Sequence, residues 1–147
     1  MSEKKLRNIF VQGKISADFI AASIAKHQSK TDIGGHSIFL GQVRADLMDG
    51  SPVIAIDYTS YEEMALKKMD EIRELIFTKY SLTCLHVYHS LGMVQTGEIC
   101  LFVFTSSKHR KAAIEACSET VELIKSQLPV WGREICSDET HQWKKNN

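Results

Sequence analysis

The sequence lacks the features of a membrane, secreted or nucleic-acid-binding protein. No segment approaches the roughly 20 consecutive apolar residues that cross a bilayer, and the first residues lack the apolar run of a signal peptide. The 18 Lys and Arg residues are balanced by 18 Asp and Glu residues, so no overall positive field attracts nucleic acid. Internal repeats and low-complexity stretches are also absent. We therefore expect a soluble cytoplasmic protein.

Close pairs of cysteines, which many metal sites require, are missing as well. The four cysteines are Cys84, Cys100, Cys117 and Cys136. They lie 16 to 19 residues apart in apolar segments, with no Cys-x-x-Cys pair. His86 and His89 are three residues apart in a predicted strand, so their side chains are expected on opposite faces of the sheet. The pattern predicts buried thiols, no metal site and no cofactor.

What the chain does have is enough apolar sequence for one domain. Its 147 residues are 44% hydrophobic, which predicts one core and a single domain over residues 1–147. Alternating and helical apolar spacings predict strands at 8–12, 36–44, 53–59, 82–91, 98–105 and 130–136 and helices at 16–28, 61–80 and 107–127. A polar tail covers 137–147. This order indicates an α+β fold with an antiparallel or mixed sheet and three main helices.

Basic residues stand where the third helix is predicted to begin. Ser106 or Ser107 is the predicted N-cap. The basic residues that follow are Lys108, His109, Arg110 and Lys111. They lie against the positive end of the helix dipole, where acidic residues are preferred, so the turn either binds an anion or is simply solvated.

The length of this helix bears on assembly. Residues 109 and 125 are sixteen positions apart, which at ~1.5 Å per residue corresponds to roughly 24 Å. One small ligand cannot contact both ends. If both ends serve one site, the simplest arrangement is a two-fold dimer in which the start of one helix approaches the end of the other.

A series of motifs over about residues 33–136 resembles a known family. The motifs are Phe39-Leu-Gly-Gln-Val-Arg44, Tyr61 with Met64, Leu91-Gly92 followed by Gly97-Glu98, Thr105-Ser-x-x-His-Arg110, and Lys125 followed by Pro129-x-Trp-x-Arg-Glu134. Their order and spacing resemble the large, catalytic subunit of molybdopterin synthase, the MoaE family. The resemblance implies an α/β-hammerhead fold.

The resemblance also implies an activity and partners. Such sulfurtransferases insert two sulfurs into cyclic pyranopterin monophosphate (precursor Z) and form the dithiolene of molybdopterin. The sulfur comes from the C-terminal Gly-Gly thiocarboxylate of a small ubiquitin-like subunit, which resembles MoaD. The assembly implied is a heterotetramer around a homodimer of large subunits, with sites formed across the dimer.

Site residues are implied by the same match. Lys125 corresponds to the catalytic lysine, although a lysine near a helix C-terminus is also favoured by the dipole alone. The substrate-binding positions are Gln42, Val43, Arg44, His109, Arg110, Lys125, Gly132, Arg133 and Glu134. Arginine and histidine at these positions suit a phosphate and a thiocarboxylate, which are both anionic.

One position departs from the family pattern. Gly132 stands where many members have a second active-site lysine. Two alternatives therefore stay open. The chain could be a catalytically weakened relative that still binds the pterin or the partner, or a generic dimeric anion-binding protein.

Overall fold

The computed structural model describes residues 5–137 and the backbone of residues 141–143. Within these residues the chain forms three helices and eight strands. The helices are α1 (Ala17–His27), α2 (Glu62–Lys79) and α3 (Arg110–Gln127). The strands are β1 (Phe10–Gln12), β2 (Gly35–Gln42), β3 (Leu47–Met48), β4 (Ser51–Ser60), β5 (Cys84–Gln95), β6 (Ile99–Ser107), β7 (Val130–Cys136) and β8 (His141–Trp143). The predicted α+β class with three main helices is confirmed.

The strands form a mixed sheet in the order β2-β6-β5-β4-β7-β8. These neighbours are antiparallel, whereas β1 pairs with β5 in parallel and β3 forms a hairpin with β4. The segment from Cys100 to Ser107 in β6 is buried on both faces. Both faces of this strand are buried because helices cover both of its sides.

The long strand β5 connects two parts of the sheet. Its first half, Cys84 to His89, pairs with β6, whereas Gly92 to Gln95 pairs with β4. Gly92 lies at the change of partner and has φ +80°, a backbone conformation that glycine adopts without strain. The strand therefore places His89, just before this point, beside residues of the β4–β7 part.

Helices cover both faces of the sheet. Helices α2 and α3 supply the main core, in which Ala65, Met69, Ile72 and Ile76 recur at helical spacing. Leu101 and Val103 of β6 belong to this core. On the opposite face Phe102 and Phe104 pack with Ile20 and Ile24 of α1. No helix among the described residues is both long and apolar enough to span a membrane.

The start of α3 differs from the prediction. Ser106 and Ser107 still pair with β2, so β6 continues to Ser107 and His109 becomes the N-cap. His109 makes no side-chain cap, but the Ala113 N–H donates to Ser107 Oγ over 3.1 Å. Ser107 therefore satisfies one early N–H from outside the helix, and only Arg110 and Lys111 of the basic residues lie in the first turn.

Other boundaries also needed correction. The predicted helix 61–80 begins one residue later, at Glu62, because Tyr61 is the N-cap; the Ser60 hydroxyl donates to the Pro129 carbonyl (2.8 Å) and does not cap the helix. Strand β3 lies between the predicted strands 36–44 and 53–59, where no element was predicted. Asp49 and Gly50, both with positive φ, form its tight turn to β4. Strand β8 lies in the tail predicted only as polar; residues 138–140 and 144–147 of that tail fall outside the described part.

Candidate active site

Lys125 lies at a small pocket where α3 ends against the sheet. The cavity holds about 30 Å³, roughly the space of one water molecule. Its lining residues are Tyr58, His89, Ile124, Lys125, Leu128, Val130 and Gly132. We call this cavity the Lys125 pocket. Two of the positions taken from the sequence, Lys125 and Gly132, therefore meet here.

The chain reversal after α3 brings these two positions together. Leu128 is the C-cap and adopts extended backbone, as expected for a residue that precedes proline. Pro129 then leads directly into β7, which pairs with β4 from Val130 onward. Lys125 in the last helical turn is half-buried above the first residues of β7.

His89 is a pocket residue that sequence reasoning missed. Its Nδ1 lies 2.8 Å from the Ser90 carbonyl oxygen, which only accepts, so Nδ1 donates and Nε2 carries the lone pair. The pKa of His89 is lowered to about 4, mainly by burial; the bond to Ser90 opposes this shift and the positive charge of Lys125 adds to it. The imidazole is therefore neutral at pH 7. The expected placement of His86 and His89 on opposite faces is correct.

Tyr58 and Ile56 occupy the space above Gly132. A Cβ at position 132 would lie 2.7 Å from Ile56 Cγ2 and 3.1 Å from Tyr58 Cε1. The Tyr58 ring also contacts His89 edge-on, with centroids 5.2 Å apart. Burial raises the pKa of the Tyr58 hydroxyl, and the neighbouring Cys100 raises it further. Any side chain at position 132 therefore requires these neighbours to shift.

Arg133 and Glu134 point to opposite faces of β7. Arg133 forms an ion pair with Asp57 of the adjacent strand (3.3 Å), on the face away from Gly132. Glu134 is buried on the same face as Gly132, in register with Ile56. Of the three consecutive positions, Gly132 and Glu134 share the face of the Lys125 pocket and Arg133 does not.

The stretch Gln42, Val43 and Arg44 begins at the last residue of β2. The Val43 side chain is buried in a core cluster, so only its backbone is left for a ligand. That backbone already pairs with Gly97 and Glu98. Gln42 and Arg44 are exposed, and Arg44 forms a solvent-exposed ion pair with Asp46 (3.3 Å), which contributes little stability.

His109 and Arg110 lie at the opposite end of α3 from Lys125. The helix is continuous from Arg110 to Gln127, so the two groups are roughly 24 Å apart along its axis. Both basic residues are exposed, and the first turn contains no acidic residue. Within one chain, therefore, His109 and Arg110 do not reach the Lys125 pocket. This geometry is the one that a site shared between two copies requires.

Comparison with known proteins places the chain in a family. A family model described as MoaE protein matches residues 14–127. The chain belongs to the MoaE family. The molybdopterin synthase catalytic subunit of Pyrococcus abyssi is 37% identical over 115 residues, which cover 78% of this chain and 76% of that protein. The subunit of the same name from Drosophila grimshawi is 40% identical over 115 residues, covering 77% of this chain. This chain spans only 32% of that longer relative.

Solved MoaE-like structures share the fold. The X-ray structure of molybdopterin synthase from Staphylococcus aureus superimposes with a TM-score of 0.79 and 27% identity, covering 97% of this chain and 98% of that one. A chain in the complex of subunits 1 and 2 of the molybdopterin-converting factor from Helicobacter pylori matches with a TM-score of 0.78. Its identity is 20%, with 92% and 88% of the two chains covered, so this match shows the fold.

Proposed function

We propose that this MoaE-family chain is the catalytic subunit of a cytoplasmic molybdopterin synthase, acting as a sulfurtransferase. It transfers sulfur from the thiocarboxylated C-terminus of a small ubiquitin-like subunit to cyclic pyranopterin monophosphate, and so forms the molybdopterin dithiolene. The observation that carries the proposal is the Lys125 pocket, where a half-buried lysine stands beside a neutral histidine. The four free, buried cysteines fit a reducing compartment.

Lys125 and His89 divide the acid–base work in this proposal. As the thiocarboxylate sulfur bonds to the reacting carbon of the pterin, the bond from that carbon to its oxygen breaks. The Lys125 ammonium stabilises the negative charge that develops on this leaving oxygen, or donates a proton to it. His89 presents an unprotonated Nε2, because its Nδ1 hydrogen is held by Ser90. It can therefore accept a proton from the water that cleaves the acyl–sulfur bond, which leaves the sulfur on the pterin and a carboxylate on the small subunit. The apolar side chains of Ile124, Leu128 and Val130 line the pocket, and the lower local dielectric constant strengthens both interactions.

Anion binding is assigned to the basic residues. His109 and Arg110 lack acidic neighbours in their helical turn, and their exposed side chains are free to bind the cyclic phosphate or the thiocarboxylate. Because they lie far from Lys125 in one chain, we assign them to the site of the other copy in a homodimer. Two small subunits complete a heterotetramer.

A second candidate function rests on Gly132. The lysine common at this position is absent, and Ile56 and Tyr58 fill the space from which such a side chain would start. A relative that binds the pterin or the small subunit without efficient turnover would show this arrangement. The generic anion-binding alternative is less well supported, since the family match covers residues 14–127.

Reconstitution separates these functions. The purified chain is mixed with the thiocarboxylated small subunit and cyclic pyranopterin monophosphate, and the dithiolene product is measured. We expect product from the wild type and a loss of at least about 100-fold in Lys125→Ala. Lys26→Ala, which removes an exposed lysine at the end of α1, is the matched control and should retain full activity. Complex formation without product in the wild type would favour the binding relative.

A further inference from the structure

Two histidines and a cysteine form a cluster at the C-terminal end of α1. His27 Nε2 lies 2.9 Å from His86 Nε2, and the Cys84 Sγ completes a group whose three ligand atoms lie within 4.8 Å of one another. His27 and Cys84 are buried and His86 is half-buried. His86 faces away from His89, so the cluster lies on the opposite side of the sheet from the Lys125 pocket.

The hydrogen bonds fix which nitrogen of His27 is available. Its Nδ1 lies 2.7 Å from the Ser23 carbonyl oxygen, which can only accept. Nδ1 therefore carries the hydrogen, and Nε2 directs its lone pair at His86. A carbonyl that holds the distal N–H of an imidazole is the usual outer-shell arrangement of a metal-binding histidine. His36 is a neighbour with its Nδ1 hydrogen-bonded to Ser106 Oγ (2.7 Å), but it lies outside the group of three close ligand atoms and is not counted as a ligand.

We propose that His27, Cys84 and His86 bind a Zn²⁺ ion, with water at the fourth position. Two imidazole nitrogens and one thiolate match the ligand preferences of zinc, whereas the absence of carboxylates from the cluster disfavours Mg²⁺ and Ca²⁺. The site is independent of the proposed synthase activity. It would join the end of α1 to the start of β5.

The cluster needs only a small rearrangement to reach zinc geometry. With Zn–N bonds of about 2.0–2.1 Å, two nitrogens on a tetrahedral ion are about 3.3 Å apart. The two Nε2 atoms, now 2.9 Å apart, must therefore separate by roughly 0.4 Å. In the metal-free protein a hydrogen on His86 Nε2 lies between the two nitrogens, and the ion would replace it.

The protons and charges balance in a simple way. Binding releases the Cys84 thiol proton to solvent, and the His86 hydrogen moves from Nε2 to Nδ1 through solvent. Arg73, Arg7 and Lys30 place positive charge near His86, and this charge repels a divalent ion. The negative charge of the Cys84 thiolate offsets part of that repulsion. Lys30, whose Nζ lies 3.0 Å from Cys84 Sγ, is exposed and can turn away as the ion enters.

Metal binding to the full-length, tag-free chain tests this proposal. After removal of metal with EDTA, the affinity for Zn²⁺ is measured by competition with a chromophoric chelator. Substitution with Co²⁺ then reports the ligands by absorption. We expect one Zn²⁺ per chain with sub-micromolar affinity, a thiolate-to-cobalt charge-transfer band, and a higher unfolding temperature with Zn²⁺ than without it.

Variants identify the ligands. Cys84→Ser and His86→Gln should each weaken Zn²⁺ binding by at least about 100-fold, more than the 10–100-fold typical of an outer-shell change. Cys136→Ser removes another buried thiol outside the cluster and should bind as the wild type does. The cobalt spectrum of the wild type does not depend on how the variants fold. Absence of the thiolate band, or binding that survives both ligand substitutions, would overturn the proposal.

Discussion

In the proposed function, Gly132 is the residue that distinguishes an active synthase from a binding relative. Gly132 lines the same pocket as Lys125, but the side chains of Ile56 and Tyr58 fill the space that a side chain at position 132 would need. Restoring a lysine by a single substitution would therefore change packing as well as charge. The effect of the missing lysine and the effect of the tight packing must be measured separately.

An alanine at position 132 tests the packing alone. We expect Gly132→Ala to lower the free energy of unfolding by about 1–3 kcal/mol, because the new Cβ overpacks against Ile56 Cγ2. Ile56→Ala is destabilising by itself because it leaves a cavity, but it removes that methyl group. In denaturant unfolding, the double variant should lose less free energy of unfolding than the two single variants lose together, by at least about 0.5 kcal/mol. Additive losses would show that Gly132 is not held by this contact.

His89 makes stability depend on pH. Its folded pKa of about 4 lies below the unfolded value of 6.5, so the unfolded chain takes up a proton first as the pH falls. The stabilisation is complete above pH 6.5 and is lost progressively toward pH 4, by about 3 kcal/mol at most. The free energy of unfolding, measured with urea at several pH values in this window, should depend less steeply on pH in His89→Gln than in the wild type. The difference in slope should correspond to about one proton. An unchanged slope would contradict a buried neutral His89.

Residues that meet across the sheet were the hardest to predict from sequence. The family resemblance predicted that Lys125 and Gly132 belong to one site, and the short turn between them brings both to the same pocket. His89 was missed because its contact with the end of α3 depends on where Gly92 turns β5 from β6 to β4. The contact between His27 and His86 was also missed, because the two residues are 59 positions apart in the chain.

At the scale of elements, α3 carries most of the charged residues of the candidate site, with the basic residues at its start and Lys125 in its last turn. Apolar spacing predicted the helix and its end, whereas its start was placed too early. Pairing of Ser106 and Ser107 with β2 outweighed their preference for N-cap positions. The short strands β3 and β8 escaped prediction because two or three residues show no periodic pattern.

The capping hydroxyl of Ser107 provides a test at this scale. Ser107→Ala leaves the buried Ala113 N–H without its acceptor, so we expect a loss of about 1 kcal/mol in the free energy of unfolding. Ser126→Ala, at an exposed position near the end of the same helix, is the matched control and should change stability by less than about 0.5 kcal/mol. Equal effects of the two substitutions would show that Ser107 does not cap α3.

At the scale of the whole molecule, fold class and family were predictable but the arrangement of strands was not. Alternating segments and helical stretches define the α+β class, and ordered motifs define the family. The order β2-β6-β5-β4-β7-β8 depends on long-range pairing that local spacing does not determine. A homodimer with shared sites stays a prediction, in which the basic start of α3 in one copy approaches Lys125 of the other copy.

Complementation between two inactive variants tests this central claim. Lys125→Ala removes the pocket lysine and Arg110→Ala removes a basic residue at the far end of α3, so each homodimer should form little dithiolene product. If each site combines Lys125 of one copy with Arg110 of the other, co-expressed variants form mixed dimers with one intact site. Random pairing then restores about a quarter of the wild-type sites. Product no higher than that of either variant alone, from mixed dimers shown to form, would contradict the shared site.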